Sequence, residues 1–260
     1  MADEPPPPPR REYPQLLIGL VAIALAIAIV VPITAAIIAG AIRDVKVRRD
    51  TIVVTGSARQ PIEADLGIWH LTVSSKERTP AEAARSVRRK VDAVDAFLAD
   101  GGLNSDEIRK PPLSVEETTI SVPTGKARPA FRLIPAWRIS QPYTVTTKNL
   151  DDLEKTAGGV DALLLKGVDV SVTHIQYVST ELTAARFAAL KKATADAQRR
   201  AETIADGLDG HLGAVRKVSL GVYQIVPRNS TNVSDYGIND VSARHKDVIS
   251  VVTVTFAVNR

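Results

Sequence analysis

At 260 residues, 45% of them apolar, the chain has room for one large domain or two small ones. Its net charge is only +4, and its lysines and arginines are scattered rather than massed, which argues against nucleic-acid binding. It contains no cysteine. That excludes disulfides, thiolate metal sites and cysteine nucleophiles together.

Residues 1–15, MADEPPPPPRREYPQ, read as a disordered proline-rich tail, extended and solvated over Pro5–Pro9. From Leu16 to Ile42 the sequence LLIGLVAIALAIAIVVPITAAIIAGAI holds no charged residue. A helix needs about 20 apolar residues to cross a hydrocarbon core, so 16–42 is expected to form one transmembrane helix, kinked or ended near Pro32. Ala39-Gly40-Ala41 has the small-x-small look of a cleavage site. The apolar run is nevertheless longer than a signal-peptide core, and the segment before it lacks net positive charge, so an uncleaved anchor is expected. Counting the flanking arginines and lysines would place the rest of the chain in the cytoplasm, but long domains are translocated largely regardless of such counts.

Residues 51–260 are expected to form a soluble domain. Thr51–Ala58 is β-branched and reads as a strand, with Gly56-Ser57 as a turn at its end. Asp65–Lys76 alternates, with Trp69, Leu71 and Val73 on one face. Thr79, Pro80 and Glu82 together predict a helix start, through a cap, a proline at the first position and a capping box. Ala84, Val87, Val91, Val94 and Leu98 form its apolar stripe, and Gly101-Gly102 its end. Strands are expected at 113–122 and 136–148, separated by a turn around Pro123–Pro129.

A second helix, 151–166, is weakened by Gly158-Gly159 and precedes a strand at 168–180. The longest helix, 181–208, has the expected seam Leu190, Ala193, Ala197, Ala201, Ile204 and Leu208. Strands at 215–226 and 248–258 close the chain. Between them, Pro227–Lys246 is far longer than a hairpin loop requires. It reads either as a floppy loop or as an arm that orders against a neighbouring subunit through Val233, Tyr236, Ile238 and Val241. The order β-β-α-β-β-α-β-α-β-β predicts an α+β fold, helices packed on a largely antiparallel sheet. Strand-helix-strand 65–122 is faintly echoed by 136–180.

No catalytic constellation emerges. His70, His174, His211 and His245 show no metal-ligand spacing, and no GxSxG, phosphate loop or dinucleotide fingerprint is present. Glu116 and Glu117, adjacent on a strand, point to opposite faces. Arg88-Arg89-Lys90 and Arg199-Arg200 read as solvated helix faces. Catalytic, cofactor-binding and metal residues are therefore expected to be absent, and the protein is expected not to be an enzyme.

The alanine-rich segment from Arg186 through Leu208, followed by Gly210-His-Leu-Gly213, resembles the C-terminal signature of the SIMPL domain family. Ile52-Val-Val-Thr-Gly-Ser-Ala with Asp65, Gly101-Gly102-Leu103 with Ile108, Leu150-Asp-Asp-Leu, Gly167-Val168, Ile175-Gln-Tyr and Ser179 fit the same family in order. The likeness spans about Thr51 to Arg260; Trp69 and the stretch Arg132–Trp137 depart from it. It implies a bacterial cell-envelope protein of non-enzymatic, assembly or interaction type. The retained membrane helix is a second departure, since many members have a cleaved signal. With the single-pass anchor read from the apolar run, the resemblance implies a periplasmic C-terminal domain, a ring-like homo-oligomer and a stress-related role. The alternative is a small-ligand binder or enzyme whose site is too dispersed to read in sequence.

Overall fold

The computed structural model describes residues 51–123 and 131–259. The tail, the expected transmembrane helix 16–42 and most of the turn Pro123–Pro129 lie outside them. Among the described residues no helix is long and apolar enough to cross a membrane.

The elements in chain order are β1 (Thr51–Glu63), β2 (Leu66–Glu77), α1 (Pro80–Asp100), β3 (Ile108–Arg109), β4 (Ser114–Pro123), β5 (Phe131–Thr147), α2 (Leu150–Gly158), α3 (Asp161–Leu165), β6 (Val170–Val172) and β7 (Gln176–Val178). Then come α4 (Leu182–Asp206), β8 (His211–Leu220), β9 (Gln224–Pro227), β10 (Ile238–Asn239) and β11 (His245–Asn259). The fold is α+β, with antiparallel-rich sheets and helices packed on them. Several expected boundaries are corrected. The helix 151–166 breaks at Gly159 into α2 and α3, the strand 168–180 into β6 and β7, and the strand 215–226 is interrupted before β9. Gly56-Ser57 lies inside β1 rather than in a turn at its end.

The chain divides into two compact units. Of the described residues, the larger comprises 54–123, 131–200 and Val218–Val254; the smaller comprises 51–53, Ala201–Lys217 and 255–259.

In the larger unit, β4, β5, β2 and β6 follow one another across an antiparallel sheet. In chain order these strands and the intervening helices read β2-α1-β4-β5-α2-β6, so each helix crosses over one strand. This is the split βαβ arrangement of ferredoxin-like folds. The faint echo in the sequence corresponds to these two interleaved halves. Because β2 and β5 pair residue for residue, Trp69 opposite Val145, Leu71 opposite Tyr143 and Ser75 opposite Ile139, their odd-numbered side chains share a face. That face meets Val87, Val94 and Leu98 of α1, with Leu153 and Leu163 beyond, to form the main core. Ala83, not Ala84, begins the α1 stripe.

The start of α1 is built as its residue types demand. Thr79 Oγ1 accepts from the Glu82 backbone N–H and donates to the Glu82 carboxylate, and Pro80 occupies the first turn. At the other end Gly102 takes a positive φ of 83°, which lets the Leu103 N–H return to the Leu98 carbonyl at 3.1 Å.

The long helix α4 buries Ala185, Ala189, Ala193, Ala197, Ala201 and Ala205. The seam is thus one row of alanines four residues apart, a ridge of the kind that packs into a groove at close range. Ile204 and Leu208 are exposed and Leu190 is half-buried, so three members of the expected seam lie beside it. In the smaller unit, the strand ends of β8 and β11 come close at two glycines. A Cβ on Gly210 would lie 3.1 Å from the Val258 side chain, and one on Gly213 would lie 3.1 Å from that of Ala257.

Pro227–Lys246 is neither floppy nor free. Ile238 and Asn239 form β10, parallel to Gln224 and Ile225 of β9. Tyr177 N–H donates to the Val241 carbonyl at 2.7 Å, and the Gln224 amide donates to that of Ser234 at 2.6 Å. Of the apolar residues expected to make contacts, Val233, Tyr236 and Val241 are exposed, Tyr236 97% so and Val241 only 37%.

Candidate functional site

The polar residues weighed from sequence are dispersed. His70 Nδ1 lies 3.1 Å from Thr144 Oγ1 across the β2–β5 pair, and His245 Nδ1 lies 3.9 Å from Glu63. Among the described residues no three histidine, aspartate or glutamate side chains converge as a metal ion requires. Glu116 pairs with Arg138 across the strand at 3.9 Å. Asp196 holds Arg199 and Arg200 and also accepts the Ser57 N–H at 3.0 Å. Lys90 is no solvated-face residue. Its ammonium donates to the Ser74 carbonyl at 3.0 Å and to Asp169 at 2.8 Å, tying α1 to the edge of β2.

Two features remain. The first is a ribbon. Strand β2 ends at Glu77, opposite Trp137, whereas β4 continues to pair with β5 as far as Pro123 opposite Phe131. Beyond buried Ala136, residues 119–123 and 131–135 therefore pair only with each other among the described strands, about 17 Å at 3.4 Å per residue. Directly opposite residues share a face, so Phe131, Leu133 and Pro135 line up with Pro123, Ser121 and Thr119. On that side Phe131 and Leu133 are 67% and 68% exposed. The outer edge of β4 pairs with no other described strand.

The second feature lies at the root of the loop before β11. Lys246 is only 3% exposed. Its Nζ donates to the backbone carbonyls of Tyr177 and Asp240, each at 2.6 Å. Burial pushes this amine below the usual lysine range, against the opposing charge of Asp240. The Asp240 carboxyl is itself partly buried, which would raise its pKa. Hydrogen bonds from Ser242 and from the Ala243 N–H, together with the Lys246 charge, win and hold it below its ordinary value. Beside Lys246 is a cavity of about 110 Å³ lined by Ile62, Val178, Leu182, Ile225 and Val241 and also by Ser179, Asn239 and Asp240. At its rim the Tyr177 hydroxyl donates to Glu154 at 2.9 Å, and burial with that bond pushes the phenol up to about 12. Arg244 reaches Glu63 at 3.0 Å and Asp151 at 2.5 Å.

Sequence reasoning missed Lys246. A lone lysine at a strand start carries no local sign of burial, and the carbonyls that hold it come from distant β7 and from the loop.

Residues 52–256 match the family model SIMPL, described as a protein of unknown function (DUF541). The chain belongs to the SIMPL family. No curated protein matches it.

Proposed function

We propose that this is a membrane-anchored cell-envelope protein that works by self-assembly rather than by catalysis, its domain held outside the cytoplasm by the apolar segment 16–42. The exposed β4–β5 ribbon carries this reading. An isolated two-stranded ribbon is at best marginally stable in water, and unpaired strand edges together with exposed aromatic and aliphatic side chains favour strand addition. A second copy of the chain suits this edge. Antiparallel pairing of two β4 strands about Thr119 would set Glu116 against Val122 and Glu117 against Ser121, so no two carboxylates would meet. The test is sedimentation of the full chain in detergent. The parent should run as an oligomer, and the double variant Phe131→Ser, Leu133→Glu as smaller species with unchanged circular dichroism. A parent that stays monomeric over a wide concentration range would overturn the proposal.

The small-ligand alternative draws its support from the Lys246 cavity, which is independent of the ribbon.

A further inference from the structure

We infer that the cavity beside Lys246 is a binding site for a small, uncharged, largely aliphatic carbonyl compound, with the Lys246 amine as the group that engages its carbonyl. The inference does not rest on the assembly reading.

Size comes first. An engineered apolar cavity of about 150 Å³ holds benzene, so a cavity of about 110 Å³ suits a somewhat smaller body. Half of the residues that line it are isoleucine, valine and leucine, and Tyr177, Ser179, Asn239 and Asp240 complete the lining with Lys246, so the space suits a short hydrocarbon tail beside one polar group.

Charge comes next. The Asp240 carboxylate lies near enough to act on the Lys246 amine, so the site already holds one negative group. A carboxylate ligand would leave a net negative charge in an apolar space, which is costly. An uncharged oxygen acceptor adds none.

The geometry at Nζ completes the argument. A lysine nitrogen has three positions beyond its carbon. Two point at the carbonyl oxygens of Tyr177 and Asp240. The third is left for the cavity that Lys246 lines. In the charged form that position is an N–H, which donates to a carbonyl oxygen. In the neutral form it is a lone pair directed at the carbonyl carbon, while both remaining N–H groups stay on their acceptors. Burial favours the neutral form. Desolvated lysines are activated for imine chemistry in the same way.

The covalent step balances without a further reagent. The lone pair adds to the carbonyl carbon, the C=O π bond breaks, and the oxygen leaves as water once it has taken up two protons. One of these comes from the nitrogen and one from solvent, so the product is a protonated imine. That imine keeps one N–H for one of the two backbone carbonyls.

The experiment uses the full chain in detergent, butanal as probe and cyanoborohydride to trap imines, with labelled lysines located by peptide mass spectrometry. Lys246 should be alkylated about tenfold faster than exposed Lys76 and Lys166. Its labelling should also saturate with butanal concentration and be slowed by butanone. Because Lys246→Met removes the donor from the carbonyls of Tyr177 and Asp240 and could unfold the chain, the deciding variant is Val241→Phe. This fills the cavity but leaves Lys246 and both its acceptors in place. It should bring labelling at Lys246 down to the rate at Lys76 or below. Labelling of parental Lys246 no faster than that of Lys76 and Lys166 would overturn the inference, and so would fast labelling that survives Val241→Phe.

Discussion

Gly56 of β1 lies so close to α4 that a methyl group on it would sit 2.3 Å from the backbone nitrogen of Ala197 and 2.3 Å from the carbonyl oxygen of Ala193. The obstacle is helix backbone, which cannot rotate aside as a side chain can. The alanine row of α4 and the glycine of β1 are therefore two halves of one contact. Gly56→Ala should destabilise by more than ordinary overpacking, and Ala197→Leu by about 1–3 kcal/mol. Ala184→Leu, on an exposed position of the same helix, should change little. Denaturant midpoints measure all three. Equal midpoints for Ala197→Leu and Ala184→Leu would mean that the row is not the packing face.

A second prediction concerns acid stability. The Asp65 carboxylate accepts the Thr180 N–H at 2.7 Å and the Thr180 hydroxyl as well, linking the start of β2 to the residues just before α4. The hydroxyl bond first, then the backbone bond, hold its pKa below the ordinary 3.8. A carboxylate depressed in the folded state contributes stability above its unfolded pKa and loses it as pH falls through the folded value. Asp65→Asn should therefore cost stability by a constant amount at neutral pH, and the difference should close below about pH 4. Urea melts of both proteins from pH 7 to pH 2.5 would show it. A difference that persisted at the lowest pH would place the effect in packing rather than in the charge.

Which parts of this fold can be read from sequence follows from how local their causes are. Helix α1 is legible because Thr79, Pro80, Glu82 and Gly102 act within a turn of their own positions. The buried face of β2 is legible because alternation is a local pattern. The α4 seam was only half legible. Ile204 and Leu208 satisfy helical periodicity, but the buried row takes every fourth residue through Ala197, Ala201 and Ala205 and leaves them beside it. At Ala193 and Ala197 only small side chains fit, because Gly56 comes so near, and it lies well over a hundred residues earlier. Strand β10 and the order of the loop before β11 have no local sign at all, since their hydrogen bonds run to β9 and β7. The ribbon was visible as two strands. That β2 stops short of it depends on register, which the strand sequences do not state.

The membrane prediction rests on residues 16–42, whose uncharged run exceeds a bilayer span. A reporter active only in the cytoplasm, fused after Arg260, should be silent, and one active only outside it should signal. Strong cytoplasmic activity would reverse the proposed orientation. Recovery of a soluble fragment beginning near Arg43 would show that the segment is removed.

The last prediction is that the long loop cannot be trimmed. Its composition invites deletion of 229–243 and closure with a short glycine-containing turn, as for any solvated loop. In the folded chain, however, that segment supplies the carbonyl of Asp240 to Lys246 and that of Ser234 to Gln224. It also supplies the Val241 carbonyl to Tyr177, while the Asp240 N–H donates to Ile225 at 2.9 Å. Lys246 and Gln224 are buried. A buried polar group stripped of its partner costs about 1–3 kcal/mol, and more when charged. Deletion should therefore lower the denaturation midpoint sharply and leave a chain that unfolds at mild urea concentrations. Tyr236→Ser, by contrast, alters a side chain that is 97% exposed and should leave stability unchanged. If the deletion variant melts with the parent, the loop's bonds are replaced by water at no cost. If Tyr236→Ser instead reduces the oligomer while sparing the fold, the loop tip joins the ribbon as a surface of assembly.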